Sequence, residues 1–175
     1  MTPDIAAIES VIRDVPDFPQ PGILFKDITP LLGDGPLFQS CISLLAERVK
    51  ALGAQKVVGL DARGFIFGAA VADRLGIGFV PVRKKGKLPY ETKAVSYDLE
   101  YGSNTVEMHT DAVVPGEKVV IVDDLLATGG TAKAAIQLLS EAGADLVGIE
   151  FVIELAFLNG REQLGESTIE SLITY

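Results

Sequence analysis

Val119 to Val122 form an unbroken apolar run, preceded by Lys118 and followed at once by Asp123-Asp124 and the turn Ala127-Thr128-Gly129-Gly130-Thr131. A strand without polar alternation has two apolar faces and must be covered on both, as in a parallel sheet between helices. The rest of the chain fits that frame: apolar runs alternate with helical patterns, which predicts an α/β fold with a central, mostly parallel twisted sheet flanked by helices. Pro36 suits a first helical position, and Phe38, Ile42, Leu45, Val49 and Leu52 then recur at helical spacing, with Gly53 as a stop. Lys56 to Leu60 reads as a strand, about Arg63 to Leu75 as a helix, and Gly78 to Val82 as the next strand. Beyond the glycine turn, Ala132, Ala135, Ile136, Leu139 and Gly143 mark one helix face, and Leu146–Ile153 and Ile169–Tyr175 supply the last strands. One stretch breaks the rhythm. Val95, Tyr97 and Leu99 alternate with polar residues, Gly102-Ser103-Asn104 reads as a turn, and Val106 and Met108 alternate again. That pattern predicts an antiparallel hairpin projecting from the parallel core.

The run from Val119 to Thr131 also carries chemistry. Ligands of open α/β sheets bind beyond the carboxyl ends of the strands, where this turn lies. Gly129 and Gly130 allow positive φ and close approach of backbone to ligand. The N–H groups opening the next helix, with its dipole behind them, favour a phosphate, and Thr128 and Thr131 add hydroxyl donors. Two carboxylates beside a phosphate would repel it unless they had another partner. The vicinal hydroxyls of a ribose are such a partner, since ionised carboxylates accept hydrogen bonds from both. Asp123, Asp124 and Ala127–Thr131 therefore point to a ribose 5-phosphate. An ordinary strand-to-helix turn with Asp caps would explain the Gly pair or the Asp pair alone, but not the whole arrangement.

Other chemistries are poorly served. The chain lacks G-x-x-x-x-G-K-[ST], a strand-borne G-x-G-x-x-G and G-x-S-x-G. His109 is the only histidine, which disfavours a Ser-His-Asp triad or a His-rich metal site and makes a solvated or structural role its plain reading. Cys41, the one cysteine, lies in an apolar helical pattern and reads as a small buried hydrophobe. A net charge of −9 disfavours nucleic acid and anionic membranes as partners. No uncharged stretch is longer than Gly35 to Ala46, and the start lacks a basic n-region, so the cytoplasm is the expected compartment. Against that acidic background, Arg83, Lys84, Lys85 and Lys87 place four cations in five residues. A solvated face is the plain reading of such a run, and an anion site its competitor.

The Val119–Thr131 segment resembles that of type I phosphoribosyltransferases, and further segments resemble the adenine phosphoribosyltransferase subfamily over nearly the whole chain. They are Asp17-Phe18-Pro19, Pro21 to Pro30, Gly59 to Phe65, Arg83 to Pro89 and Tyr97 to Gly102. The resemblance implies one domain over residues 1–175, with an N-terminal hood (1–34) and a mobile hairpin over the site (84–109). It implies transfer of the phosphoribosyl group of 5-phosphoribosyl 1-diphosphate to adenine, giving AMP and diphosphate, in a homodimer. Mg2+ would be held mainly by the donor and water, without a dedicated protein ligand cluster. The Leu60-Asp61-Ala62-Arg63 turn, with a non-proline cis peptide, would bind diphosphate. Arg63 and Lys87 would be its cations, and Arg83 would serve the neighbouring subunit. Phe25 would stack on adenine, backbone near Leu24 would read its amine, and Leu155 would close the other face, with Lys26 and Arg63 adjoining. Lys26 stands where most members have Arg. Glu100, on the hairpin, would handle the proton at purine N7, although a glutamate on a hairpin is by itself usually only solvated.

Three other readings stay open. A 6-oxopurine phosphoribosyltransferase would want a donor, commonly Lys, opposite the base oxygen, where the hood offers backbone. A regulatory nucleotide sensor usually adds a basic DNA-binding region, whereas residues 1–20 are acidic and short. A scaffold protein would leave the acid pair and the cation run unexplained.

Overall fold

The computed structural model describes residues 4–98 and 102–175. The chain divides into two compact units, one up to Leu44 and one from Leu45 onward. The first begins with α1 (Ile5–Ser10), whose N-terminal amides at Ala6 and Ala7 donate to the Asp4 carboxylate at 2.9 and 3.3 Å. β1 (Arg13–Pro16) and β2 (Leu24–Asp27) then pair antiparallel, with Val15 opposite Phe25. α2 (Thr29–Gly33) and the start of α3 (Gly35–Ala51) complete this unit. Cys41 on α3 is fully buried, and burial pushes its thiol pKa up to about 12, so it acts as the small hydrophobe expected.

The second unit is built on a seven-stranded sheet. Its strands are β3 (Lys56–Leu60), β4 (Gly78–Lys84), β5 (Thr92–Asp98), β6 (Ser103–His109), β7 (Lys118–Leu126), β8 (Asp145–Glu154) and β9 (Ile169–Thr174), in the order β5-β6-β4-β3-β7-β8-β9. All pairings from β4 across to β9 are parallel. α4 (Gly64–Leu75) joins β3 to β4, and α5 (Gly130–Glu141) joins β7 to β8. These crossovers leave in opposite directions along the sheet, and right-handed connection then puts the helices on opposite faces. The packing agrees. Val58, Leu60, Val119 and Ile121 join one core cluster with Ala135, Leu138 and Leu139 of α5. On the other face, the ring of Phe79 and the side chain of Val57 lie against Gly68 of α4. Val119 to Val122 are all 0% exposed, the two-sided cover their sequence demanded.

The hairpin is present, but as part of the sheet. β5 and β6 pair from Thr92–His109 to Asp98–Ser103, and β6 joins β4 antiparallel through Arg83–Glu107 and Lys84–Val106. Ser103 and Asn104, expected in the turn, are instead the first residues of β6.

Candidate active site

β3 and β7 are neighbours whose helices depart to opposite sides, so a crevice must open between their carboxyl ends. A cleft of about 410 Å3 lies there. Asp61-Ala62-Arg63, between β3 and α4, lines it from one side, and the end of β7 with the turn into α5 lines it from the other. All the residues expected to hold the sugar and its phosphate border this cleft: Asp123, Asp124, Ala127, Thr128, Gly129, Gly130 and Thr131.

The turn has the geometry its glycines imply. Gly129 is the α5 N-cap at φ +86°, where side chains are strained. A Cβ there would come within 2.6 Å of the Gly160 carbonyl oxygen, so the turn is closed from behind by the 3-10 segment Gly160–Leu164. No side chain caps α5, and helix geometry leaves the amides of Gly130, Thr131 and Ala132 without intrahelical acceptors. A ligand anion suits those donors and the positive end of the helix dipole.

The acid pair sits on the strand rather than in the turn, because β7 runs on through Leu126. Adjacent strand residues face opposite ways, and the two carboxyls have different surroundings. Asp124 is 6% exposed, and its Oδ2 accepts a hydrogen bond from Arg63 Nε. Asp123 Oδ1 instead accepts the backbone N–H of Asp124 at 2.9 Å. A Cβ at Gly64 would meet that same oxygen at 2.6 Å, so only glycine lets α4 start this close to it. Burial, and then the charge of Asp124, push the Asp123 pKa well above the ordinary carboxylate range. The two acids expected to take the ribose hydroxyls therefore differ in their surroundings: Asp124 is ion-paired with Arg63, and Asp123 has its proton affinity raised by burial and by its neighbour.

The Leu60–Arg63 turn contains a cis peptide between Asp61 and Ala62, at the place the resemblance implies. Arg63 lines the cleft, and so does Lys84, which the sequence reading left unassigned. Its signal was the alternation of β4: Val80 and Val82 point into the core, and Lys84 continues their face beyond the core's edge. Arg83 faces elsewhere. It donates to Asp61 at 3.3 Å and lies 5.7 Å over the ring of Phe65. Lys87 is exposed, and its carbonyl accepts from Arg83 at 3.4 Å. Neither Arg83 nor Lys87 lines the cleft. Buried Glu107 holds the loop between them by accepting the Gly86 N–H at 3.0 Å. Tyr97 and Asn104 of the hairpin also line the cleft, carried there by the alternation that buries Val95 and Val106.

The base-site expectations have less local geometry. In the first unit, Phe25 meets Phe18 edge to face at 5.1 Å, Lys26 pairs with Asp14 at 2.6 Å, and Leu24 is largely exposed. In the second, the Leu155 amide donates to the Leu126 carbonyl at 2.9 Å, although Leu155 does not line the cleft. Glu100 lies outside the described residues. His109 accepts the Tyr90 N–H at 3.3 Å and packs against its ring, a structural role. Among the described residues no cluster of His, Cys, Asp and Glu is arranged to hold a metal ion, and no helix is long and apolar enough to cross a membrane.

Residues 31–166 match the family model of the phosphoribosyl transferase domain. The adenine phosphoribosyltransferase of Solidesulfovibrio magneticus is 60% identical over 95% of this chain and 97% of its own. The crystal structure of adenine phosphoribosyltransferase from Thermoanaerobacter pseudethanolicus superimposes with a TM-score of 0.95 at 49% identity, covering 98% of this chain and all of that one. The Saccharomyces cerevisiae enzyme, complexed with an imino-altritol bisphosphate and adenine, gives a TM-score of 0.92 at 41% identity over 96% of this chain and 97% of its own. A strand-borne acid pair above an uncapped helix start, in a fold this close to theirs, leaves one conclusion: the chain belongs to the phosphoribosyltransferase family, among its adenine phosphoribosyltransferases.

Proposed function

We propose that this chain transfers the 5-phosphoribosyl group of 5-phosphoribosyl 1-diphosphate to adenine, releasing AMP and diphosphate. One observation carries the reading: paired acids and an uncapped helix start face a single cleft, matching a ribose and its 5-phosphate. The 5-phosphate is assigned to the amides of Gly130, Thr131 and Ala132 and the hydroxyls of Thr128 and Thr131. Asp123 and Asp124 take the ribose hydroxyls. Asp124 is held for this by the guanidinium of Arg63.

The chemistry follows from charge. As the bond from the anomeric carbon to diphosphate oxygen breaks, the oxygen keeps the electron pair and the sugar becomes cationic. Fixed cations aimed at the departing oxygens stabilise that state more than the ground state. Arg63 and Lys84 are best placed for this by their position on the cleft, with Lys87 and Arg83 as further candidates from the family resemblance. Adenine N9 attacks the anomeric carbon, and Glu100 is assigned the proton at N7 on the same resemblance, as are Leu24, Phe25, Lys26 and Leu155 for the base. Mg2+, when bound, neutralises diphosphate charge. It would be held mainly by donor oxygens and water, as the family resemblance implies.

We also propose one catalytic domain over 1–175, which the family match supports by running across the Leu44–Leu45 boundary, and a cytoplasmic homodimer. The test of function is AMP formation by the purified chain from adenine, donor and Mg2+. Hypoxanthine and guanine serve as control bases. AMP formation at least about a hundredfold faster than IMP formation upholds the reading, and a preference for a 6-oxopurine overturns it.

A further inference from the structure

Tyr97 belongs to the hairpin, yet its hydroxyl lies 2.8 Å from the Oγ1 of Thr131, in the first turn of α5. Its ring edge lies 3.3 Å from where a Cβ at Gly130 would stand, so it flanks the anion-binding turn and lines the same cleft. Neither Tyr97 nor its cross-strand partner Asn104 has a part in the reaction described above.

Either hydroxyl can be the donor in this pair. A threonine hydroxyl has one proton and two lone pairs, and a phosphate at the helix start accepts only. Once the phosphate binds, the Thr131 proton must turn to it, and only Tyr97 is left to donate in the pair. Donation into Thr131 Oγ1 fixes the rotor and polarises its O–H toward the anion. We infer that Tyr97 is a positioning residue for the donor's 5-phosphate, acting through Thr131, and so ties the hairpin to the phosphate turn. The inference rests on the proposed phosphate site and adds to it a residue that does not touch the ligand.

The experiment compares Tyr97→Phe, Thr131→Val and the double variant. Tyr97→Phe keeps the ring against Gly130 and removes only the phenol oxygen. The donor KM is expected to rise about fivefold, the effect of one hydrogen bond, with kcat and the adenine KM within about twofold of wild type. In the Thr131→Val background, the same change is expected to do nothing further, because its intermediary is gone. Calorimetry with AMP gives a second readout that does not depend on turnover: weaker binding by Tyr97→Phe in the same ratio, with adenine binding unchanged. An unchanged donor KM and AMP affinity overturn the inference, and so do additive losses in the double variant or a fall in kcat and both KM effects together. A wild-type chain that neither binds AMP nor uses the donor overturns the proposed function as well, which distinguishes the two failures.

Discussion

The pairing of Arg63 with Asp124 and its proposed role toward the departing diphosphate can be separated by experiment. Asp124 is 6% exposed, while the Arg63 side chain is 48% exposed. Arg63→Ala strands a buried carboxylate. A fully buried pair broken in this way costs about 3–5 kcal/mol, and the exposure of Arg63 lowers the expectation to about 1–3 kcal/mol. For a chain of this size that corresponds to a melting-point drop of roughly 3–10 °C by calorimetry. The same change removes a cation from the departing diphosphate, which should lower kcat/KM by about 100- to 1,000-fold. Asp124→Asn added to Arg63→Ala removes the stranded charge. Most of the lost stability should return in that double variant, while kcat/KM stays at the level of Arg63→Ala or below. Full turnover in Arg63→Ala, or recovery of turnover together with stability in the double variant, would refute the assignment of Arg63 to the leaving group.

Three other changes probe different parts of the account. Glu100→Gln should lower kcat by at least about a hundredfold in steady-state assays and leave donor affinity nearly unchanged, and equal turnover would remove Glu100 from the mechanism. Gly129→Ala, at φ +86° and 2.6 Å from the Gly160 oxygen, should cost at least about 1–2 kcal/mol and raise the donor KM more than the adenine KM; a donor KM equal to wild type would contradict the turn geometry. Glu150 on β8 is 2% exposed, with Arg48 at 3.6 Å, and its burial pushes its pKa from 4.5 up to about 7. The folded chain therefore keeps this proton where the unfolded chain has lost it, and stability falls as pH rises from about 4.5 to about 7, by up to about 3 kcal/mol. Denaturant unfolding at about pH 5 and pH 8 should show that Glu150→Gln gains on wild type by about that amount at the higher pH, and a constant difference would refute the burial argument.

Most of the second unit was legible because its signals are local. The unbroken run Val119–Val122 demanded cover on both faces, and the alternation around Val95 and Val106 fixed a hairpin. The sequence did not indicate that this hairpin continues the sheet, since only two residue pairs of β4 and β6 make the join. Nor did it reveal β1 and β2, four-residue strands with no fully buried side chain and no clean alternation. The closing segment after β8 was equally hidden. Arg161 donates to both Glu154 oxygens at 2.6 and 2.7 Å, and Ser171 donates to one of them at 2.7 Å, a tertiary cluster with no local pattern. In the site, the phosphate turn and acid pair were readable as a motif. The choice among Arg83, Lys84 and Lys87 was not, because charge gives a cluster its sign and the strand's pleat decides which member faces the cleft.

The proposed function places a ribose 5-phosphate at the end of β7 and the start of α5. A crystal structure of the chain with AMP tests it most directly. Phosphate oxygens are expected within hydrogen-bond distance of the Gly130, Thr131 and Ala132 amides, and both ribose hydroxyls on Asp123 and Asp124. A phosphate seated instead at Asp61–Arg63, with the ribose away from the acid pair, would contradict it.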